Sequence, residues 1–398
     1  MKKHHENPDS CTTCTSCVVH CPVTQAVREF RGPKLAGPAG ERFRLLEDEY
    51  DAALQYCSNC KNCDISCPSQ VPISTLNMKA RAKYYKTHKQ PFRDWILSHG
   101  EQMAKMASLT PGLANLGMNN FISRAVLKGL GVSDKAPLPE YASETFSKQF
   151  KRIKQKPSAN KAIFYPGCFV NYNQPEVGLD VVAVLQANDF EVIVPEDLVC
   201  CSSPLVVNGY MDEAEANARK NIGILEKYVQ MGYPIITACT SCGLMLKQEY
   251  QELFEIEGVE QVASRIYDIA EFLLELYDEG NLNTNFVKQN GKFMYHAPCH
   301  LRVQGIGKPS LELLRMLPGI EVIDADAGCC GISGNYGFKE DKYDIAMAIG
   351  SNLFETIKAS GIKTVLSECG TCRQQIGHGA GVKTVHPISL VRAAYGNK

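Results

Sequence analysis

Cysteine is the residue type through which this chain can do chemistry: eighteen of its 398 residues are cysteine. Eight lie in the first 67 residues and ten between Cys168 and Cys372, with none from Ser69 to Gly167. Cys11, Cys14, Cys17 and Cys21 are followed by Pro22, and Cys57, Cys60, Cys63 and Cys67 by Pro68. Each member of the second run stands 46 residues after its counterpart in the first. Thiolates gathered this closely are soft ligands, suited to zinc or to iron with inorganic sulfide. Disulfides are the poorer reading. The opening Met1-Lys2-Lys3-His4-His5-Glu6-Asn7-Pro8 has no apolar stretch after its basic residues, as a secretion signal would, and an unexported chain keeps its thiols reduced.

The run C-x2-C-x2-C-x3-C-P, given twice, resembles bacterial-type ferredoxins. In that pattern three close thiolates wrap one [4Fe-4S] cluster while the fourth points away to the neighbouring one. Carried across, one cluster takes Cys11, Cys14, Cys17 and Cys67, and the other Cys57, Cys60, Cys63 and Cys21. Pro22 and Pro68 interrupt local helix, so the chain turns away after each last ligand. Structural zinc is the alternative, but zinc sites pair two C-x2-C knuckles without the third cysteine and trailing proline.

The ten later cysteines also form a repeat. Cys168, the pair Cys200-Cys201, and Cys239-x2-Cys242 return as Cys299, Cys329-Cys330, and Cys369-x2-Cys372, at offsets of 131, 129 and 130 residues. Phe164-Tyr165-Pro166-Gly167-Cys168 parallels Met294-Tyr295-His296-Ala297-Pro298-Cys299, so one structural unit is used twice. This spacing resembles the cysteine-rich CCG domain found twice in the B-subunit of heterodisulfide reductase. The resemblance implies one or two further non-cubane [4Fe-4S] clusters, held by Cys168, Cys200, Cys201, Cys239 and Cys242 and by Cys299, Cys329, Cys330, Cys369 and Cys372. Gly331 completes CCG in the second half, whereas Ser202 takes that place in the first, which puts the first turn in question. Zinc, a vicinal disulfide or buried structural thiols are the competing readings. His296 and His300 flank Cys299 as hydrogen-bond donors to a cluster, proton carriers, or satisfied core histidines. Gly328 and Gly334 suggest tight backbone around Cys329-Cys330.

These residues need elements to position them. In each later half, short apolar runs alternate with amphipathic stretches, the pattern of α/β units with parallel strands. Strands are expected at Ala162–Tyr165, Glu191–Val194, Ile235–Ala238, Lys292–Tyr295, Glu321–Ile323 and Thr364–Leu366. Helices are expected at Glu176–Ala187, Asp212–Gln230, Ile266–Tyr277, Ser310–Leu317 and Lys342–Ala359. The cysteines fall just after strands, at the carboxyl edge where open α/β sheets gather ligands. Between the ferredoxin motifs, Glu41–Tyr56 reads as a helix packing Phe43, Leu46, Tyr50, Ala53 and Leu54. Ile73–Lys86 reads as another, with Leu76, Met78, Ala80, Ala82 and Tyr84 inward. Both resemble the α-helical ferredoxin domain of succinate-dehydrogenase-type iron–sulfur subunits. Trp95, Ile96, Met103 and Met106, and then Phe121, Ile122, Val126, Leu127 and Leu130 opposite Arg124 and Lys128, make apolar helical faces. These serve either as core or as a surface for a membrane or partner. The basic stretch Phe146 to Lys161 reads as a linker.

The fold class is thus α plus α/β: a two-cluster α-helical ferredoxin domain (1–90), a helical docking segment and basic linker (91–160), and a duplicated CCG domain (161–285 and 286–398). A net charge of −1 argues against nucleic acid as a partner. No run of 18 apolar residues is present to cross a membrane, and no glycine-rich nucleotide fingerprint or P-loop is found. A chain rich in one-electron sites without a dinucleotide site relays electrons more plausibly than it oxidises a substrate.

Particular stretches tighten the comparison. Gly32-Pro33-Lys34-Leu35-Ala36-Gly37-Pro38 with Gly40-Glu41-Arg42, then Tyr56-Cys57-Ser58-Asn59-Cys60, Gly167-Cys168-Phe169-Val170-Asn171-Tyr172-Asn173, and Cys329-Cys330-Gly331-Ile332-Ser333-Gly334-Asn335-Tyr336-Gly337-Phe338-Lys339 resemble the C-subunit family of anaerobic glycerol-3-phosphate dehydrogenases. That resemblance implies an electron-transfer protein fed by flavoprotein dehydrogenase subunits, passing electrons to the membrane quinone pool, peripheral on the inner face of the cytoplasmic membrane. A glycolate or lactate oxidase subunit would share the cofactors, and a heterodisulfide-reductase-like enzyme would use a non-cubane cluster for catalysis.

Overall fold

The β-branched runs become strands of two separate four-stranded sheets. The computed structural model describes residues 7–47 and 52–396. In the first sheet β1 (Asn160–Tyr165), β2 (Phe190–Ile193), β3 (Ile235–Thr237) and β4 (Ile266–Asp268) lie in the order β2-β1-β3-β4, all parallel. In the second, β5 (Gly291–Tyr295), β6 (Ile320–Asp324), β7 (Thr364–Leu366) and β8 (Lys383–Val385) repeat that order as β6-β5-β7-β8, again parallel. Parallel strands require crossovers, which the helices Pro175–Ala187, Met211–Gln230, Pro309–Arg315 and Tyr343–Ser360 supply. The architecture is α plus α/β, as the alternation implies.

Two strands depart from the expected pattern. Ile266–Tyr277 is not one helix: its first three residues are β4, and the helix Ile269–Asp278 begins only after Asp268. The Asp268 carboxylate accepts from the Ala270 N–H at 2.9 Å while Glu271 accepts from the Asp268 N–H at 3.0 Å, a reciprocal cap that fixes the helix start. Strand β8 leaves little trace in the sequence pattern, being three residues long with only one β-branched pair, Thr384-Val385.

The two sheets share one apolar core. Val181, Val182, Val184 and Leu185 from the Pro175–Ala187 helix join Tyr295, Leu311, Leu314, Ile388 and Tyr395 of the second half. The basic stretch from Phe146 is not all linker: Phe146–Phe150 is a helix whose Phe146 ring is fully buried, edge-on to Phe164 at 5.4 Å. Burying such a ring is worth about 1.5–3 kcal/mol, and Lys148 and Lys151 beside it stay exposed, so the basic residues keep their solvent.

Ahead of the sheets, the helix Ile73–Thr87 forms as expected, with Leu76, Met78, Ala80 and Ala82 buried and Tyr84 half-buried. Glu41–Tyr56 does not form one helix. The structure gives Gly40–Glu47 and a short 3-10 turn, Ala52–Tyr56, while Tyr50 lies outside the described residues. Phe43 and Leu46 are 61% and 82% exposed rather than packed, and Arg44 is buried in their stead. The cause is hydrogen bonding: the Arg44 guanidinium pairs with Glu41 at 2.8 Å and donates to the carbonyls of Ala36 and Gly37 at 2.9 and 3.2 Å. The helices Pro111–Asn119 and Phe121–Gly129 pack on each other and bury no residue. Phe121, Ile122 and Val126 stay 87%, 71% and 58% exposed, so this face is surface, not core. Among the described residues no helix is long and apolar enough to cross a membrane.

Candidate metal centres

The two ferredoxin loops repeat in backbone as well as in sequence. Thr13 and Thr15 between the first cysteines have φ of 58° and 65°, and Asn59 and Lys61 between the second have 54° and 58°. Left-handed residues at alternating positions curl the chain so that successive N–H groups face one point, as a cradle for sulfur requires. The turns Ser16–Val19 and Asn62–Ile65 pack together, which carries the fourth cysteine of each run toward the other. Cys17 therefore sits among Cys11, Cys14 and Cys67, and Cys63 among Cys57, Cys60 and Cys21. Burial, and then these neighbouring thiols, push the Cys17 thiol up to about 11. Val71 N–H donates to the Cys67 Sγ at 3.4 Å, and the Asn77 amide to the Cys57 Sγ at 3.6 Å.

In the α/β halves, all ten thiols stand beyond the carboxyl ends of the strands. Cys168, Cys200-Cys201 and Cys239 follow β1, β2 and β3, and Cys299, Cys329-Cys330 and Cys369 follow β5, β6 and β7. The strand order reverses beside β1 and β5, so the crevice at each switch point is where the thiols meet. Cys200 and Cys168 lie 3.8 Å apart at sulfur, and Cys330 and Cys372 3.2 Å. Gly167 is required here, since a Cβ at that position would come within 2.7 Å of the Cys242 Sγ.

Ser202 keeps the turn that glycine makes in the second half. Its φ of 71° matches the 87° of Gly331, and its N–H reaches the Cys200 Sγ at 3.5 Å as the Gly331 N–H reaches the Cys329 Sγ at 3.3 Å. The fully buried Ser202 hydroxyl is held by the Asn217 amide at 3.0 Å. Gly331 has no such latitude, because a Cβ there would meet the Ala346 carbonyl oxygen at 1.9 Å.

The donors are distributed unequally. The Cys369 thiol is held down to about 5, first by the Cys372 thiol and then by the Thr371 hydroxyl and the Cys372 N–H. The Cys200 and Cys329 thiols lie well below the usual range, each chiefly through the hydrogen bond from its partner, Cys168 or Cys299. His296 joins the second group, with its ring nitrogen and the sulfurs of Cys330 and Cys372 all within 4.8 Å of one another. Burial pushes the His296 imidazole down to about 4. The first half has Pro166 at the equivalent place, which offers no such nitrogen. Sulfur thus dominates both sets, with main-chain N–H groups aimed at it, and this fits iron–sulfur chemistry better than hard-metal binding.

The four groups form a row. Cys14 is exposed at one end. Ser333 donates to the Ser58 carbonyl at 2.8 Å, and the His300 Nε2 to the Asn59 carbonyl at 3.0 Å. These bonds seat the Cys57–Cys63 loop on the Cys299–Cys372 group, where Cys60 faces Cys329 and Cys299. The buried Lys61 fixes the same loop to Glu249 at 3.3 Å and Glu252 at 3.1 Å. Across the duplication, Ser241 and the His300 Nδ1 are 2.9 Å apart, and the Phe169 ring lies on Gly370, where a Cβ would come within 2.1 Å. Cys239 and Cys369 are neighbours there. The row ends at Cys168 and Cys200, whose N–H donates to Glu101 at 2.8 Å. Glu101 and Ser241 carry no motif of their own, whereas Asn59 and Ser333 lie in two of the stretches that carry the family resemblance; none of the four is marked in the sequence as a contact between groups.

Comparison with known proteins agrees with this geometry. A 4Fe-4S dicluster domain model matches residues 7–71, and a cysteine-rich domain model matches 162–247 and again 293–377. The chain is 35% identical over 391 residues to the C-subunit of the anaerobic glycerol-3-phosphate dehydrogenase of Escherichia coli K12, covering 97% of this chain and 98% of that one. It is 27% identical over 401 residues to the B-subunit of the fumarate reductase (CoM/CoB) of Methanothermobacter marburgensis, covering 97% and 72%. Lactate utilization protein A 2 of Bacillus cereus is 28% identical over 187 residues, covering 45% and 74%. With two dicluster-type loops, a doubled cysteine-rich unit and near-complete overlap at 35% identity, the chain belongs to the family of iron–sulfur electron-transfer proteins typified by the C-subunit of anaerobic glycerol-3-phosphate dehydrogenase.

Proposed function

We propose that this chain is the iron–sulfur subunit of an anaerobic glycerol-3-phosphate dehydrogenase complex, carrying electrons from flavoprotein subunits to the membrane quinone pool on the inner face of the cytoplasmic membrane. Cys11, Cys14, Cys17 and Cys67 hold one [4Fe-4S] cluster and Cys57, Cys60, Cys63 and Cys21 a second. The two later groups of five hold non-cubane clusters. Clusters of this kind supply reversible one-electron storage when bound.

The protein's own part is placement and tuning. The N–H groups of Val71, Ser202, Gly331 and Cys372 and the Asn77 amide point at sulfur, which favours added negative charge there. Burial of Cys60, Cys63, Cys330 and Cys372 keeps water from the middle of the row. The observation that carries the reading is the continuity of the row, from exposed Cys14 to Cys168. The exposed apolar face of Phe121, Ile122 and Val126 supports contact with a membrane surface. The test is anaerobic mixing of a substrate-reduced glycerol-3-phosphate flavoprotein with the iron-loaded chain. Bleaching of its visible absorbance, followed by recovery on adding a quinone, is expected; no change in either step contradicts the reading.

The similarity to lactate utilization protein A 2 favours a second reading, in which the partner oxidises lactate or glycolate. Substituting that flavoprotein in the same mixing experiment separates the two.

A further inference from the structure

The end of the row at Cys168 opens into a cavity of about 300 Å³. Its walls come from three directions: Glu101, Lys105 and Ser108 from the Gly100–Ala107 helix and its end, Lys148 from the Phe146–Phe150 helix, and Tyr172 from the Gly167–Tyr172 helix that bears Cys168, next to the loop that bears Cys200. The volume lies at the lower end of what small-molecule sites have, about 300–1,000 Å³, and holds a bicyclic ring rather than a protein segment.

Two features say what class of molecule fits. The charges in the wall cancel, with Glu101 and Glu196 against Lys105 and Lys148, so the site does not select an anion such as a phosphate or carboxylate. Its lip leads along the chain to exposed apolar side chains: Ser108 lines the cavity, and the next residue, Leu109, is 82% exposed. From there the chain runs into the two helices that expose Leu113, Leu116, Phe121, Ile122 and Val126. An uncharged ring with a lipid tail matches both features, its tail lying along the apolar helices and its carbonyl oxygens facing Lys105, Lys148 and the Tyr172 hydroxyl.

We infer that this cavity is the quinone site of the chain, with Cys168 and Cys200 marking the exit end of the electron row. This rests on the proposed delivery of electrons to quinone and adds where it happens. The balance is simple: one quinone takes two electrons, delivered singly along the row from the reduced flavoprotein, and two protons from water at the open mouth. It leaves as the quinol, and no other bond is made or broken.

The test is photolabelling of the iron-loaded chain with a short-chain azido-naphthoquinone, with peptide mapping. Labelling within residues 101–108, 165–172 or 194–200, suppressed by excess unlabelled quinone, is expected. Ser108→Trp, which fills the mouth, should lower the labelling at least tenfold, and Lys148→Met several-fold. The low-temperature EPR spectrum of the reduced chain should keep its shape in both variants, showing that the fold and the metal sites survive. Quinone reduction by the wild-type chain with label elsewhere overturns the location but leaves electron delivery standing. Failure of the fully reduced wild-type chain either to label or to reduce quinone overturns both.

Discussion

The imidazole of His300 donates from Nε2 to the main-chain carbonyl of Asn59, 3.0 Å away and 241 residues distant in sequence. A carbonyl can only accept, so Nε2 holds a hydrogen, and Nδ1 on the other side of the ring lies 2.9 Å from the Ser241 hydroxyl. One ring therefore ties together a ferredoxin loop, the second cysteine-rich unit in which it sits, and the first unit across the duplication. Asn59 lies beside Cys60, Ser241 between Cys239 and Cys242, and His300 next to Cys299, so the same ring meets three of the four thiol groups.

His300→Ala should leave the cysteines in place but loosen this junction. Two hydrogen bonds are lost, one buried and one partly buried, for a cost of about 2–4 kcal/mol. An anaerobic urea titration of the iron-loaded chain should show the drop, and EPR of the reduced chain should show weakened spin–spin interaction. An unchanged midpoint and unchanged spectrum count against a role for the ring in joining the groups.

The Ser202–Gly331 comparison gives an asymmetric pair of variants. Ser202→Gly frees a left-handed backbone but gives up the Asn217 hydrogen bond, so its net effect on stability should stay within about 1 kcal/mol. Gly331→Ala drives a methyl into the Ala346 carbonyl, and should cost more than about 2 kcal/mol and release iron from the second unit alone. Iron analysis of both purified variants decides it; equal losses would mean the two turns are not the built features described.

Asp268 predicts a pH dependence. Burial, and then the charge of Glu368, raise its carboxyl from 3.8 to about 8, with Glu271 adding to the effect. A raised carboxyl favours the protonated folded form, so this contribution is fully present below about pH 4 and is lost as pH rises toward about 8. The wild-type chain should lose a few kcal/mol over that window from this group, while Asp268→Asn, which keeps the helix cap, should flatten the slope. Parallel pH profiles from denaturant titrations that show identical slopes contradict the assignment.

The apolar helical pair predicts membrane affinity. Ile122→Glu with Val126→Glu should weaken co-sedimentation with phosphatidylglycerol-containing vesicles at least tenfold, an effect of roughly 1.4 kcal/mol or more. Iron content should not change, because neither side chain touches a cysteine-bearing loop. Undiminished sedimentation would place membrane contact elsewhere.

The cysteine spacing made the repeats legible, and the alternation of apolar runs with amphipathic stretches made the parallel sheets and the thiols at their strand ends legible, because both depend on local periodicity. Register between distant segments was not legible. Nothing near Asn59 signals that its carbonyl meets His300, and Glu101 reaches Cys200 from a helix that reads as merely amphipathic. The Glu41–Tyr56 stretch misled for a local reason: its apolar spacing suggested a packed face, yet Arg44 found three carbonyl and carboxylate acceptors and took the buried position. Ser202 misled in the opposite direction, since a non-glycine residue holds the left-handed turn once its hydroxyl is satisfied inside.

The apo chain should separate into two behaviours. Metal-binding energy is folding energy where thiolates replace a core, so chelation should unfold the region around Cys11–Cys67 while the sheets, with their own buried Val, Leu and Ile side chains, persist. Circular dichroism before and after chelation measures this, and an unchanged cooperative melt would contradict it.

The most direct measurement is iron, sulfide and zinc analysis of the anaerobically purified chain, with EPR after dithionite. Four filled thiol groups predict roughly sixteen irons and a matching amount of sulfide per chain, with paramagnetic signals on reduction. A colourless preparation that contains zinc alone and remains EPR-silent would contradict the account at its base.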